Sequence, residues 1–223
     1  MMFCIPVYSQ SYIFRGVSGT EGLSDFVIST LFKDSCGYVW MGTATSVERF
    51  DGVHLKHYPI YASSERWKWV NAIIETSGNQ LWVGTDGGFW QIGQDRVDRI
   101  APDVIRNGVR SIVKDDKDTL YIGSETGLHI YKDGKIETVL LENNSFSSAN
   151  FIVGLHLEGE RLWLITRNGL YSMNLKDRKQ VHYANNLTEK EALFSYRNIT
   201  RIDSTLYLGT MEHGILSFDI RTH

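Results

Sequence analysis

Five times along the chain an aromatic residue stands between two large apolar residues, and Thr or Ser follows three positions after it. The copies are Val39-Trp40-Met41-Gly42-Thr43, Leu81-Trp82-Val83-Gly84-Thr85, Leu120-Tyr121-Ile122-Gly123-Ser124, Leu162-Trp163-Leu164-Ile165-Thr166 and Leu206-Tyr207-Leu208-Gly209-Thr210. The aromatic falls at 40, 82, 121, 163 and 207, with separations of 42, 39, 42 and 44. A period of about 40–50 residues is that of four-stranded units arrayed in a repeat. Three large apolar residues in a row leave no polar face, so the strand is buried on both sides. Gly follows the triplet in four of the five copies, which marks a place where a neighbouring backbone, that of the next unit, comes close.

The rest of each repeat reads as three further strands. An apolar first strand precedes the aromatic one (Val27–Phe32, Val70–Ile74, Val109–Val113, Phe151–Leu157, Ile199–Ile202), joined to it by a polar hairpin such as Asp34–Gly37 or Asp115–Asp118. After a turn that carries Gly in most copies, a third strand begins at Val47, Phe89, Leu128, Leu170 and Ile215. Asp51-Gly52 and Asp133-Gly134 are strong hairpin signals, and they lead into a more polar fourth strand: Val53–Tyr58, Arg96–Ile100, Lys135–Leu140, Gln180–Tyr183. No helix of useful length is indicated. The fifth repeat has three strands and lacks the fourth, while Ser11–Arg15 reads as a strand with no repeat of its own. These two features explain each other if the ends of the chain share one unit. The expected fold is therefore all-β: a β-propeller of five four-stranded blades, the last closed by Tyr12–Arg15, which removes exposed sheet edges. Blade cores lie at about 23–58, 69–100, 107–140, 150–183 and 197–220, in one domain over residues 11–223.

Composition narrows the function classes. With 223 residues and a net charge of −3, the chain can bury one large core and has no basic stripe for nucleic acid. Cys4 and Cys36 make neither a disulfide framework nor a zinc site, and no stretch is long and apolar enough to span a bilayer. Residues 1–10, MMFCIPVYSQ, are apolar and end in small polar residues, as the distal part of a secretory signal does; the other reading is a frayed N-terminus. The seven histidines show no metal-ligating spacing. Asp115-Asp116-Lys117-Asp118 lacks the Gly and the distal Glu of a calcium loop. No nucleophile elbow or phosphate loop is present. No cofactor, no metal and no catalytic residue is expected.

The run Asp34-x-x-Gly37-x-Val39-Trp40-Met41-Gly42-Thr43, then Val47 and Phe50-Asp51-Gly52, resembles the two-component-regulator propeller repeat. The resemblance runs from Ser11 to about Phe218 and is tightest in the first three repeats. It implies the periplasmic sensor region of hybrid two-component systems of gut Bacteroidetes, a non-catalytic ligand-sensing domain for glycan fragments. Such sensors resemble two consecutive seven-bladed propellers followed by further domains. Neighbouring propeller or sensor domains are thus the implied partners, and an oligosaccharide the implied ligand. Two other classes stand beside this one: a protein-interaction scaffold, since fold does not fix function, and an enzyme similar to the streptogramin lyases, which are single propellers.

Strand direction alternates, so the fourth-to-first and second-to-third connections share one end of the molecule, and any small ligand is expected there. On that end Arg66, Trp67 and Trp69 precede the second repeat, and Tyr196 and Arg197 the fifth. Aromatic faces beside guanidinium donors suit a sugar or acidic sugar. Asn71 and Arg110, at the starts of inner strands, are expected to line the mouth, as are Arg106 and Asn198. The alternative role for Trp67 and Trp69 is to plug the core or meet a neighbouring domain.

Overall fold

The computed structural model describes residues 16, 22–60, 69–93, 96–144, 147–183, 196–211 and 213–221. They form five antiparallel sheets in chain order. The first contains β1 (Thr30–Lys33), β2 (Val39–Gly42), β3 (Ser46–Phe50) and β4 (Leu55–Pro59); the second β5 (Val70–Thr76), β6 (Gln80–Thr85), β7 (Gly88–Ile92) and β8 (Val97–Ile100). The third contains β9 (Val109–Lys114), β10 (Leu120–Ser124), β11 (Gly127–Lys132) and β12 (Lys135–Val139); the fourth β13 (Ile152–Glu158), β14 (Arg161–Thr166), β15 (Gly169–Asn174) and β16 (Gln180–Tyr183). The fifth, β17 (Tyr196–Ile202), β18 (Thr205–Thr210) and β19 (Ile215–Asp219), has three strands among the described residues. Each sheet is a meander, and a single 3-10 turn at Ser148–Asn150 is the only helical element described. No described helix is long and apolar enough to cross a membrane.

The aromatic strand is the second of each sheet, and Trp40, Trp82, Tyr121 and Trp163 are buried. The polar hairpins serve these aromatics. Asp34 accepts hydrogen bonds from the Trp40 indole N–H (2.7 Å) and the Tyr38 backbone N–H (2.8 Å), and Thr76 accepts from the Trp82 indole at 2.9 Å. In the fourth sheet the matching residue is Glu158, and the buried Trp163 Nε1 has no partner.

The glycine after the triplet makes the joint between sheets. A Cβ on Gly42 would lie 2.6 Å from Val70 Cγ1, one on Gly84 2.5 Å from Val109 Cγ1, and one on Gly123 2.6 Å from Ile152 Cγ2. Only a residue without a side chain lets the next inner strand approach so closely. The fourth sheet departs from the pattern and compensates within itself. Ile165 is fully buried where the others have Gly, and its cross-strand partner is Gly154, where a Cβ would be 3.4 Å from Ile199 Cγ2.

Inner strands pack in series, β1 on β5, β5 on β9, β9 on β13 and β13 on β17; β17 makes no comparable contact back to β1. The two flanks of the series differ accordingly from its joints. Leu31 is 66% exposed, whereas Ile73, Ile112 and Leu155 at the same register position are 9%, 8% and 5% exposed. Ile215 is 72% exposed, whereas Val47, Phe89 and Leu128 are at 0%. The expected ring closure is therefore not seen among the described residues, and the strand expected at Tyr12–Arg15 lies outside them.

Candidate functional site

Four of the five inner strands described carry an irregularity near their start. The register of the inner strand against the aromatic strand slips by one residue at Asn71, Arg110, Val153 and Arg197, and the Ser29 N–H reaches Gly42 O at the matching place in the first sheet. A bulge leaves one residue unpaired and re-aims its side chain. Three of the residues expected to form the mouth, Asn71, Arg110 and Arg197, thus occupy one repeated position.

That position lies at the end shared by the second-to-third turns and the fourth-to-first connections. The backbone ties the two together: Asp86 N–H donates to Trp69 O at 3.0 Å, Glu125 N–H to Gly108 O at 3.0 Å and Arg167 N–H to Phe151 O at 3.1 Å. Trp69, Asn71 and Arg110 meet around Asp86. Asn71 Nδ2 donates to Asp86 Oδ1 (2.8 Å) and to Val109 O in the next sheet (2.9 Å). Arg110 bridges Asp86 at 2.8 Å and Glu125 at 2.5 Å, with its Nε buried and unpartnered. Its guanidinium is thus committed to two carboxylates and links the turns of the second and third sheets, so it is not open to a ligand's acid group. Ser29 makes the corresponding tie from the first sheet, its Oγ donating to Val70 O at 2.6 Å.

The same end of the later sheets carries further arginines. Arg167 stacks over the Phe151 ring with 3.5 Å from Cζ to the centroid, and the exposed Arg197 contacts Met211 Sδ. Asn198 is also exposed, and the exposed Arg106 donates from Nε to Asp103 O at 2.9 Å. Tyr196 begins β17 opposite Thr210. Arg66 and Trp67 lie outside the described residues. The sequence reading missed the turn residues Asp86, Glu125 and Arg167. Their signal was the column after the repeated Thr or Ser, which runs Ala44, Asp86, Glu125, Arg167, Met211.

Two His–acid pairs occur among the described residues, both within the first sheet: the exposed His54 with Asp51 at 3.4 Å, and His57 with Glu48. Glu48, fully buried, holds His57 Nδ1 at 2.7 Å. Ser46 Oγ donates to the same Glu48 oxygen at 2.9 Å, Ser24 Oγ also bonds it, and Oε2 has no partner. Both hydroxyls engage the carboxylate and neither engages the imidazole. A Ser–His relay needs the hydroxyl on the ring nitrogen, so this arrangement does not activate a nucleophile. No group of three or more metal-ligating side chains occurs among the described residues.

No family model and no curated protein matches the sequence. Solved structures do. The extracellular domain of a Bacteroides thetaiotaomicron protein described as a hybrid two-component system matches 93% of this chain at a TM-score of 0.67 and 16% identity. That of a one-component system from the same organism matches 90% at 0.63 and 18% identity. The chain has the fold of these sensor domains. It spans about a third of their length, 35% in both cases. Virginiamycin B lyase from Staphylococcus aureus matches 91% of the chain at 0.64 and 14% identity, and there the chain covers 73% of the other protein. The matching sensor domains agree with the two-component-regulator repeat read from the sequence, and the lyase shares the same fold.

Proposed function

We propose that this chain is the ligand-sensing propeller unit of a two-component-type receptor, exposed in the periplasm, without catalytic activity, and responsive to a glycan fragment. The observation that carries the reading is the coincidence of two things. Nine-tenths or more of the chain matches extracellular sensor domains, and the bulges of four inner strands set different side chains at one common end. A fixed backbone position with variable side chains is what a recognition surface needs. Trp69, Asn71 and Arg197, with Arg66, Trp67 and Tyr196 beside them, are the proposed contacts; Arg110 holds the turns that frame them. The test is calorimetry against an oligosaccharide panel with Trp67→Ala and Arg197→Ala. Both variants should weaken binding at least about tenfold, as loss of a stacking face or a charged donor does. Binding unchanged in both moves the site elsewhere, and a wild type that binds no glycan favours an interaction scaffold. Turnover of a streptogramin would establish the lyase reading.

The exposed flanks bear on the partner. Leu31 and Ile215 are the two halves of a joint that is buried elsewhere in the series, and we propose that neighbouring propeller or sensor domains cover them in the assembled receptor. The competing occupant is the chain itself, closed as a five-bladed ring with Tyr12–Arg15 as the outer strand of the last sheet. Ile215→Asp separates the two. An unchanged melting temperature in the isolated chain supports the neighbour, and a loss comparable to that of Phe89→Asp supports self-closure.

A further inference from the structure

We infer that the cleft between the first and second sheets, at the hairpin end opposite the bulges, is a second binding site, built for a small flat molecule that carries a carboxylate. The cleft is about 480 Å³ in volume, and its first-sheet wall is aromatic. Trp40 and Tyr58 pack with centroids 5.3 Å apart, and the Arg49 guanidinium lies over the Tyr38 ring at 4.5 Å and over Trp40 at 5.9 Å. Stacking uses the face of a guanidinium and leaves its in-plane N–H donors for a planar acceptor.

Those donors have no acid partner. No carboxylate lies within ion-pair distance of Arg49 among the described residues; its Nε is buried, so the donors open to the cleft are its two Nη groups. The acids lining the cleft are each engaged elsewhere. Asp34 serves Trp40 and Tyr38, Glu75 accepts from the Ser35 N–H at 2.8 Å and Oγ at 3.0 Å, and Asp98 pairs with Arg96 at 2.7 Å. Beside the Arg96–Asp98 pair the cleft thus offers one positioned cation, Arg49, over an aromatic floor, with Asp34 and Glu75 held by neutral donors on its other walls. A carboxylate meets the guanidinium edge with two parallel hydrogen bonds, and a flat body covers the rings.

The charge does not belong to the repeat. A cleft of about 380 Å³ lies between the second and third sheets, lined by Trp82 and Tyr131, and Gln91 stands there in the register position of Arg49. The later sheets have Ile130, Ser172 and Ser217 at that position. The joint between sheets thus forms without a cation, and Arg49 is free to be a recognition residue. Nothing in this inference depends on the proposed glycan site, which lies at the other end.

The experiment titrates the whole chain with benzoate and with benzamide, which has the same ring and no charge. The Trp40 indole N–H resonance and calorimetry report binding. Benzoate should shift that resonance saturably and bind at least about tenfold more tightly than benzamide, the difference expected for a hydrogen-bonded charge. Arg49→Gln, a residue the fold already accepts at this position, should bring benzoate down to the benzamide level. Equal affinity for the two probes, a shift that persists in Arg49→Gln, or no saturable shift at Trp40 would each overturn the inference. The comparison of the two probes on the wild type stands even if the variant folds poorly.

Discussion

His129 makes the stability of the third sheet depend on acid. It is buried in β11, with Nε2 2.9 Å from Ser124 Oγ and Nδ1 2.9 Å from Thr138 Oγ1. Ser124 gives its own proton to Gly127 O at 3.0 Å. That leaves Nε2–H as the donor to Ser124 and Nδ1 as the acceptor from Thr138. Protonation would bury a charge, and this desolvation lowers the imidazole pKa from 6.5 to about 4. A folded-state pKa below the unfolded one means that the unfolded chain takes up the proton first. The stability His129 contributes is therefore complete above pH 6.5 and falls as the pH drops from 6.5 towards 4. At 1.36 kcal/mol per unit the whole effect is about 3 kcal/mol. Urea melts of the wild type and His129→Gln at pH 7.5 and pH 4.5 give the comparison, since every other titrating group is common to both. The wild type should lose about 2–3 kcal/mol more than the variant between those pH values. Equal losses would refute the reasoning.

Four further outcomes are expected. Trp82→Ala, which removes a buried indole bonded to Thr76 and stacked on Phe89 at 5.3 Å, should cost about 3–5 kcal/mol in a urea melt. Gly84→Ala should cost about 1–3 kcal/mol, because the new methyl meets Val109 at 2.5 Å and forces the second and third sheets apart; Gly52→Ala, where nothing lies within 4 Å but φ is +101°, should cost only the backbone strain of about 1 kcal/mol. Arg110→Gln should cost about 1 kcal/mol, since its carboxylate partners are part-exposed and screened, and the deficit should shrink when salt is added.

The strands were legible because their burial is dictated by side-chain type. The apolar triplets and the Gly after them place β2, β6, β10, β14 and β18 almost to the residue, and Asp51-Gly52 and Asp133-Gly134 place two of the outer hairpins. The candidate site was less legible. A bulge is a backbone event, and its column of Asn71, Arg110, Val153 and Arg197 shares no residue type that a sequence pattern could detect. Asn71 and Arg110 were found as polar residues at strand starts, but their common partner Asp86 was not, because an ion pair depends on which turn the neighbouring sheet brings alongside. The Arg49 cleft escaped for a related reason. Trp40 reads as a core residue and is one, yet the edge of its ring still borders the gap between two sheets.

The Gly–Val joint has a consequence for how such a chain can grow. In the second and third repeats both halves of the joint are written within one repeat: the Gly on its second strand (Gly84, Gly123) receives the repeat that follows, and the Val on its first strand (Val70, Val109) fills the repeat before. A duplicate of either of these units would therefore fit its parent at once, with no compensating change on either side. Folding energy in such an array is close to a sum over neighbouring pairs, so a gene can lengthen or shorten by whole units while every internal joint keeps its strength. Only the two outermost faces register the change.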